Sequence, residues 1–233
     1  MLKLEYLFEN YELAREALSL WEHDEDNLEE MLGYFRISSN AVYPFTREGR
    51  VCFLRLAPVG EKAETDVRGE LEFIRYLLKE GYPALRPVRS LSGEDMVVAD
   101  TGFGRYFACV FEKVDGVEIS EAGYGREGMY AYGRALGRLH ALSSGYVPAV
   151  RKQGHKEILE RIRRTLEEYG GCREAFTELA AVERELGRLP VTTENYGLVH
   201  YDFEPDNVFW DDGKKECSVI DFDDGIYCWY GLD

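Results

Sequence analysis

The chemistry of this chain is concentrated in GLVHYDFEPDNVFW, residues 197–210, where His200, Asp202, Glu204, Asp206 and Asn207 fall between the apolar pairs Leu198-Val199 and Val208-Phe209. A second acidic group, Asp221, Asp223 and Asp224, follows the strand-like Val219-Ile220. Eight of the fourteen aspartates lie after residue 200, so composition alone does not explain the density. A carboxylate at the end of an apolar strand needs a partner, because burying an unpaired ion is costly. Two strands of a hairpin bring their ends together, so Asn207 and Asp221 can converge. One amide oxygen and one carboxylate, completed by water and phosphate, form the hard-oxygen shell that Mg²⁺ accepts. Asp202, five residues before Asn207, can face a substrate near that ion without ligating it, orient a hydroxyl and take its proton. Asp211-Asp212-Gly213 reads as the turn between the strands, and Glu204 and Asp206 as loop.

The elements that must position these groups follow from periodicity. Leu13, Ala17, Leu20 and Trp21 predict a helix within 5–22, and the acidic EHDEDNLEE after it breaks the pattern. TREGR followed by Val51–Leu56 predicts a hairpin whose second strand carries Arg55. Val67, Leu71, Ile74 and Leu78 predict a helix over 63–80, stopped by Gly81 and Pro83. Strand-like pieces run through 85–114, and Asp115-Gly116 forms a turn. Helical spacing returns at 127–143, 155–169 and 173–187, and strand-like pieces at 198–201, 207–210 and 217–222. The order predicts an α+β chain of two lobes, 1–113 and 114–233, joined near residues 111–116.

H-x-D-x-x-x-x-N followed fourteen residues later by D-F-D has the form of the catalytic loop of phosphoryl-transferring kinases. LVHYDFEPDNVFW…VIDFDD resembles the aminoglycoside phosphotransferase and choline kinase-like family, small-molecule kinases of the protein-kinase-like fold. In order along the chain, SSNAVYPF resembles the family's nucleotide-covering hairpin and CFLRLAP its base-carrying strand. RGELEFIRYLLKEGYP resembles the helix with the pairing Glu, YFACVFEKVDGVEI the hinge strand, and GRALGRLHAL a helix of the second lobe. The likeness spans about residues 30–233. It implies an antiparallel N-lobe sheet with a helix and a mainly helical C-lobe whose β-hairpin carries the catalytic loop.

The resemblance assigns Asp202 as catalytic base and Asn207 and Asp221 as Mg²⁺ ligands, with ATP as phosphoryl donor. His200 joins the catalytic loop, either by bracing it or in the chemistry; Asp223 assists a second metal or merely caps a turn. Helix phase places Glu70 inward with Val67 and Ile74, and Glu72 outward beside Arg68 and Arg75, so Glu70 is the partner of Arg55. Arg55 stands where relatives often carry Lys, and the bland alternative is a strand Arg reaching solvent. Ser38, Ser39 and Asn40 replace a Gly-rich loop and either touch phosphates or form a plain polar turn. Glu112 and Val114 of the hinge would offer backbone groups to adenine. His140 reads as core or supporting rather than catalytic, and His23 and His155 as exposed. Tyr201 stands where the family usually has Gly, which marks a departure in local geometry.

The formal charge of −16 argues against nucleic acid and anionic membranes as partners and permits a cationic small molecule. Five cysteines without C-x-x-C spacing suit reduced thiols in the cytoplasm. The N-terminus lacks the pattern of a signal peptide. The family continues past its D-F-D region, whereas this chain stops at YCWYGLD, so the C-lobe is expected to be incomplete and open on the substrate side. A second copy or another partner would then cover it. Two functions follow: an ATP- and Mg²⁺-dependent kinase of a small-molecule hydroxyl (aminoglycoside, choline, homoserine or sugar-like alcohol), or a nucleotide-binding pseudokinase without turnover. A metal-dependent phosphohydrolase is the weaker third.

Overall fold

The computed structural model describes residues 11–123 and 125–233. Two helices, α1 (Tyr11–Leu18) and α2 (Leu28–Leu32), precede β1 (Arg36–Ile37), β2 (Ala41–Arg47) and β3 (Arg50–Pro58). Residues 5–10 of the expected first helix lie outside the described residues. The acidic stretch expected to break the helical pattern itself contains α2, because Leu28 and Leu32 are buried under the sheet. After β3 come α3 (Glu64–Lys79), β4 (Pro87–Val88), β5 (Met96–Thr101) and β6 (Gly104–Glu112).

These strands make one antiparallel sheet in the order β1-β2-β3-β6, and the far edge of β6 is shared by β4 and β5. Alternation in β3 decides what each face does. Cys52, Leu54 and Leu56 join Trp21, Tyr43 and Phe45 in a core beneath α1 and α2. On the opposite face Ala57 packs with α3, and Arg55 and Phe53 line the cleft. The α3 core continues without a break into Leu198, Val208, Val219 and Phe222, so the two halves share one apolar cluster.

The chain crosses over at residues 113–116 into β7 (Val117–Glu118), then α4 (Arg126–Ser144), α5 (His155–Glu168) and α6 (Arg173–Leu186). Gly116, at φ +95°, passes so close over the Trp210 carbonyl that no Cβ would fit. The last strands are β8 (Tyr196–Val199), β9 (Val208–Asp211), β10 (Glu216–Val219) and β11 (Ile226–Trp229). β9 pairs with β10 and β7, and β8 pairs with β11, a strand the sequence reading did not anticipate. The fold is the expected α+β one: an antiparallel N-terminal sheet with helices, then a helical half holding a β-hairpin. No helix among the described residues is long and apolar enough to cross a membrane.

Candidate active site

The β9–β10 hairpin places the metal-type oxygens. Val208 pairs with Val219, and the Ile220 N–H donates to the Asn207 carbonyl at 3.0 Å, so the residues just outside the ladder sit side by side. Asp221 was expected within the strand end. It lies two residues beyond the ladder at φ +64°, a left-handed conformation that Asp tolerates better than most residues. Asn207 is buried, and its Nδ2 donates to the Asp202 carboxylate at 3.0 Å and the Asp202 carbonyl at 2.9 Å. That commits the amide nitrogen inward and leaves Oδ1 as an acceptor for a cation. Burial, and then the neighbouring Asp223 carboxylate, push the Asp221 carboxyl up. Burial opposes ionisation of Asp223 too, but Arg55 and Lys62 outweigh it and hold that group low. Among the described residues no three carboxylate, thiolate or imidazole side chains converge as a metal cage. An amide plus one or two carboxylates, with the rest of the shell left to water and phosphate, fits Mg²⁺ rather than a protein-only site.

His200 does not reach the reacting side of the loop. It is wholly buried, its Nε2 lies 2.8 Å from the Ile220 carbonyl, and its Nδ1 has no hydrogen-bond partner among the described residues. A carbonyl only accepts, so the proton sits on Nε2, and burial keeps the ring from charging. The ring thus ties the catalytic-loop segment to the residue before Asp221. The loop's entrance is held by Asp233, whose carboxylate accepts from the His200 N–H at 3.0 Å and the Tyr201 N–H at 2.6 Å. His140 Nε2 adds a third contact to it at 2.9 Å, a supporting role as expected. Tyr201 has φ +74°, which explains the departure noted in the sequence: a left-handed position is occupied by a large side chain instead of Gly. His23 and His155 are half-buried rather than exposed, against the Trp21 carbonyl and the Tyr196 hydroxyl.

Above this floor lies a cleft of about 280 Å³. Asn40, Arg55, Glu112, Val114, Asn207 and Asp221 all line it, with apolar walls from Val42, Phe111 and Ile220. Ser38 lines it too, whereas Ser39 is exposed and lies outside the lining. Arg55 is buried rather than solvent-reaching, and gives Nη1 and Nη2 to the two Glu70 carboxylate oxygens at 2.7 and 2.5 Å. A guanidinium has five N–H groups, so this fork leaves donors for a phosphate. The Val114 N–H makes no backbone hydrogen bond among the described residues.

Asp223 lies beside the cleft and is engaged across the two lobes. Its Oδ2 accepts from Asn40 Nδ2 at 2.8 Å and pairs with Lys62. Lys62 carried no sequence signal, being a lone cation in a loop. Glu72 corrects the expectation from helix phase: it is not solvated beside Arg68 and Arg75 but accepts from the Tyr146 hydroxyl (3.0 Å) and the Ala149 and Val150 N–H groups (2.7 and 2.8 Å). Those partners come from 74 to 78 residues away, which periodicity within one helix cannot reveal.

A family model described as a phosphotransferase enzyme family matches residues 36–233. Amicoumacin kinase of Bacillus subtilis (strain 168) is 28% identical over 232 residues, 97% of this chain and 67% of that protein. Among solved structures, an amicoumacin kinase in complex with AMP-PNP, Ca²⁺ and Ami superposes with a TM-score of 0.80 at 24% identity. It covers 99% of this chain and 69% of its own. A microcompartment-associated aminopropanol kinase gives 0.68 at 20% identity, over 95% and 71%. An aminoglycoside-3'-phosphotransferase of type VIII gives 0.56 at 22%, over 87% and 77%. These superpositions establish the kinase-like fold.

Proposed function

The chain belongs to the phosphotransferase enzyme family, and from that premise we propose that it transfers the γ-phosphoryl group of ATP, with Mg²⁺, to a hydroxyl of an amine-bearing small molecule. The observation that carries this reading is the bond of Asn207 Nδ2 to the Asp202 carboxylate, with Asp221 at the adjoining end of the hairpin. The base is thereby tied to Asn207, which lines the cleft with Asp221. Binding alone would not require the base.

In this mechanism the adenine lies between Val42, Phe111 and Ile220, against the hinge backbone of Glu112 and Val114. Arg55, fixed by Glu70, turns its remaining N–H groups to the phosphates, and Ser38 and Asn40 cover them. Asn207 Oδ1 and the Asp221 carboxylate would hold Mg²⁺, with Asp223 available on release from Lys62. When bound there, such an ion would supply charge neutralisation at the phosphoryl oxygens. Asp202 accepts the proton of the acceptor hydroxyl as its oxygen bonds to the γ-phosphorus. The bond from phosphorus to the β,γ-bridging oxygen breaks, and ADP leaves with that electron pair. The acceptor's amine is supported by a net charge of −16 that favours cations, and a small-molecule acceptor by the 28%-identical amicoumacin kinase.

The test is ADP release with Mg²⁺-ATP across a panel containing amicoumacin, aminopropanol, aminoglycosides, choline, homoserine and neutral sugars, beside Asp202→Asn. The variant is expected to lose roughly 10²–10⁴-fold in turnover while binding nucleotide like the parent. Nucleotide binding without turnover on any acceptor would replace this reading with that of a binding module. Turnover on neutral sugars alone would remove the amine from it.

A further inference from the structure

One buried cation is unused by the mechanism above. Lys152, in the connection from α4 to α5, is only 5% exposed, and its ammonium donates to the Asp223 carbonyl at 2.6 Å and the Phe222 carbonyl at 3.2 Å. Its stem lies against α3 at Gly69, where an added Cβ would meet Lys152 Cγ at 2.8 Å and the Val150 carbonyl at 2.9 Å. The segment around it is tied down on both sides. Glu72 holds Tyr146, Ala149 and Val150, and Asp66 accepts from Gln153 Nε2 at 2.6 Å. On the other side the Tyr227 N–H donates to the Gln153 carbonyl at 2.9 Å. Phe73 of α3 packs on Tyr146 and on Phe222, with ring centroids 4.9 and 6.2 Å apart. Residues 146–154 are thus a strap across α3, the helix that carries Glu70, and the strap ends on the turn that carries Asp221 and Asp223.

We propose that Lys152 is a positioning residue of the phosphotransfer site, joining α3 to the Asp221–Asp223 turn so that the Arg55–Glu70 fork and the ion-binding carboxylates hold one fixed geometry. The inference rests on the phosphotransferase reading of the cleft. Two neighbouring carbonyls fixed by one ammonium set the direction in which the intervening peptide, and with it the Asp221 and Asp223 side chains, must point. Partners of this kind behind a ligand set alter metal affinity by roughly 10–100-fold when removed. A lysine that only balanced charge would act with the opposite sign. Removing a cation beside Asp223 strengthens the attraction of that carboxylate for a divalent ion.

The experiment uses Lys152→Met, which keeps the stem and removes the donor, and Gly69→Ala, which pushes the strap from the α3 side. Mn²⁺ affinity in the presence of nucleotide, read by electron paramagnetic resonance, is expected to fall roughly 10–100-fold in Lys152→Met, and by more than metal-free nucleotide affinity falls. Unchanged or tighter Mn²⁺ binding overturns the proposal. Hydrogen exchange on the apo proteins separates this outcome from a failure of the functional reading, since it needs neither nucleotide nor turnover. Faster exchange is expected at 221–225 in both variants, although Gly69 lies on another element. Should either variant lose its cooperative melt, wild-type exchange decides: amides of 146–154 and 221–225 must open together with one free energy, and independent opening overturns the proposal.

Discussion

Arg55 and Glu70 form a two-bond fork with the Glu70 side chain 1% exposed, and such a pair is asymmetric in its energetics. Removing one partner leaves a buried charge without compensation, which costs about 3–5 kcal/mol, whereas replacing both by apolar groups of similar volume is often neutral. Glu70→Ala is therefore expected to lower unfolding stability by about 3–5 kcal/mol in urea, and Arg55→Met/Glu70→Leu to restore most of it. A double variant no more stable than Glu70→Ala would show that the fork itself carries the stability. Glu70 was legible from helix phase because its partner lies on the same inward face. The alternatives for His200 were not separable by spacing, since bracing and chemistry both need an imidazole there. What the structure adds to spacing is the bond of its Nε2 to the Ile220 carbonyl. Tyr201 gives a second prediction at this scale. A left-handed non-glycine residue costs roughly 1–2 kcal/mol, while glycine adds roughly 0.5–1 kcal/mol of chain entropy. Because the ring is 47% exposed, Tyr201→Gly should be neutral or stabilising by up to about 1 kcal/mol. A clear loss in the same urea titration would mean that the exposed ring makes a contact worth more than the strain.

At the scale of elements, the hairpin and α3 show what spacing can and cannot foresee. The β9–β10 hairpin and the convergence of Asn207 and Asp221 followed from two apolar runs around a polar Gly-containing turn, although Asp211, expected in that turn, pairs with Glu216 in the ladder. The left-handed turn after Ile220 did not, because it depends on His200 and Lys152 gripping carbonyls whose residue types are irrelevant to the grip. The strap over α3 is invisible for a similar reason: a carboxylate that accepts backbone N–H groups from a distant segment selects no residue type there. β11 was missed because IYCW is four residues long and its pairing with β8 is non-local. Glu72→Ala tests the strap directly. It removes the acceptor for the Ala149 and Val150 N–H groups and the Tyr146 hydroxyl, so stability should drop by about 1–3 kcal/mol. Hydrogen exchange should rise first at 146–150, ahead of β3 and β6. Uniform acceleration through the sheet would indicate that Glu72 supports the whole core and not the strap.

On the scale of the whole molecule, the surface carboxylates and the buried thiols and phenols respond to pH in different ranges, and the alkaline side isolates the buried groups. All five cysteines are free; Cys52, Cys109 and Cys217 are buried in the main cores, Cys228 in a smaller cluster, and only Cys172 is exposed. Composition had shown only that they lacked framework spacing. Burial pushes the Cys52 and Cys217 thiols up to about 11 and Cys109 to about 12, from an ordinary value of 9.0. It likewise raises the Tyr43, Tyr196 and Tyr227 hydroxyls to about 12 from 10.0. Each of these groups keeps its proton longer in the folded chain than in the unfolded one. Stability from them is therefore complete below about pH 9 and declines as pH rises towards 11–12, by about 1.4 kcal/mol per pH unit for each proton retained. Lys152 opposes this, because burial lowers its affinity for a proton and the unfolded chain holds that proton longer. One lysine does not offset three thiols and three phenols. Urea midpoints under reducing conditions should thus be level from pH 7.5 to 8.5 and fall steadily from pH 9 to 10.5. Cys217→Ala should make the decline shallower, since one of the retained protons is gone. A midpoint that stays level to pH 10.5 would mean that the buried thiols and phenols titrate alike in both states, and would overturn the expectation drawn from their burial.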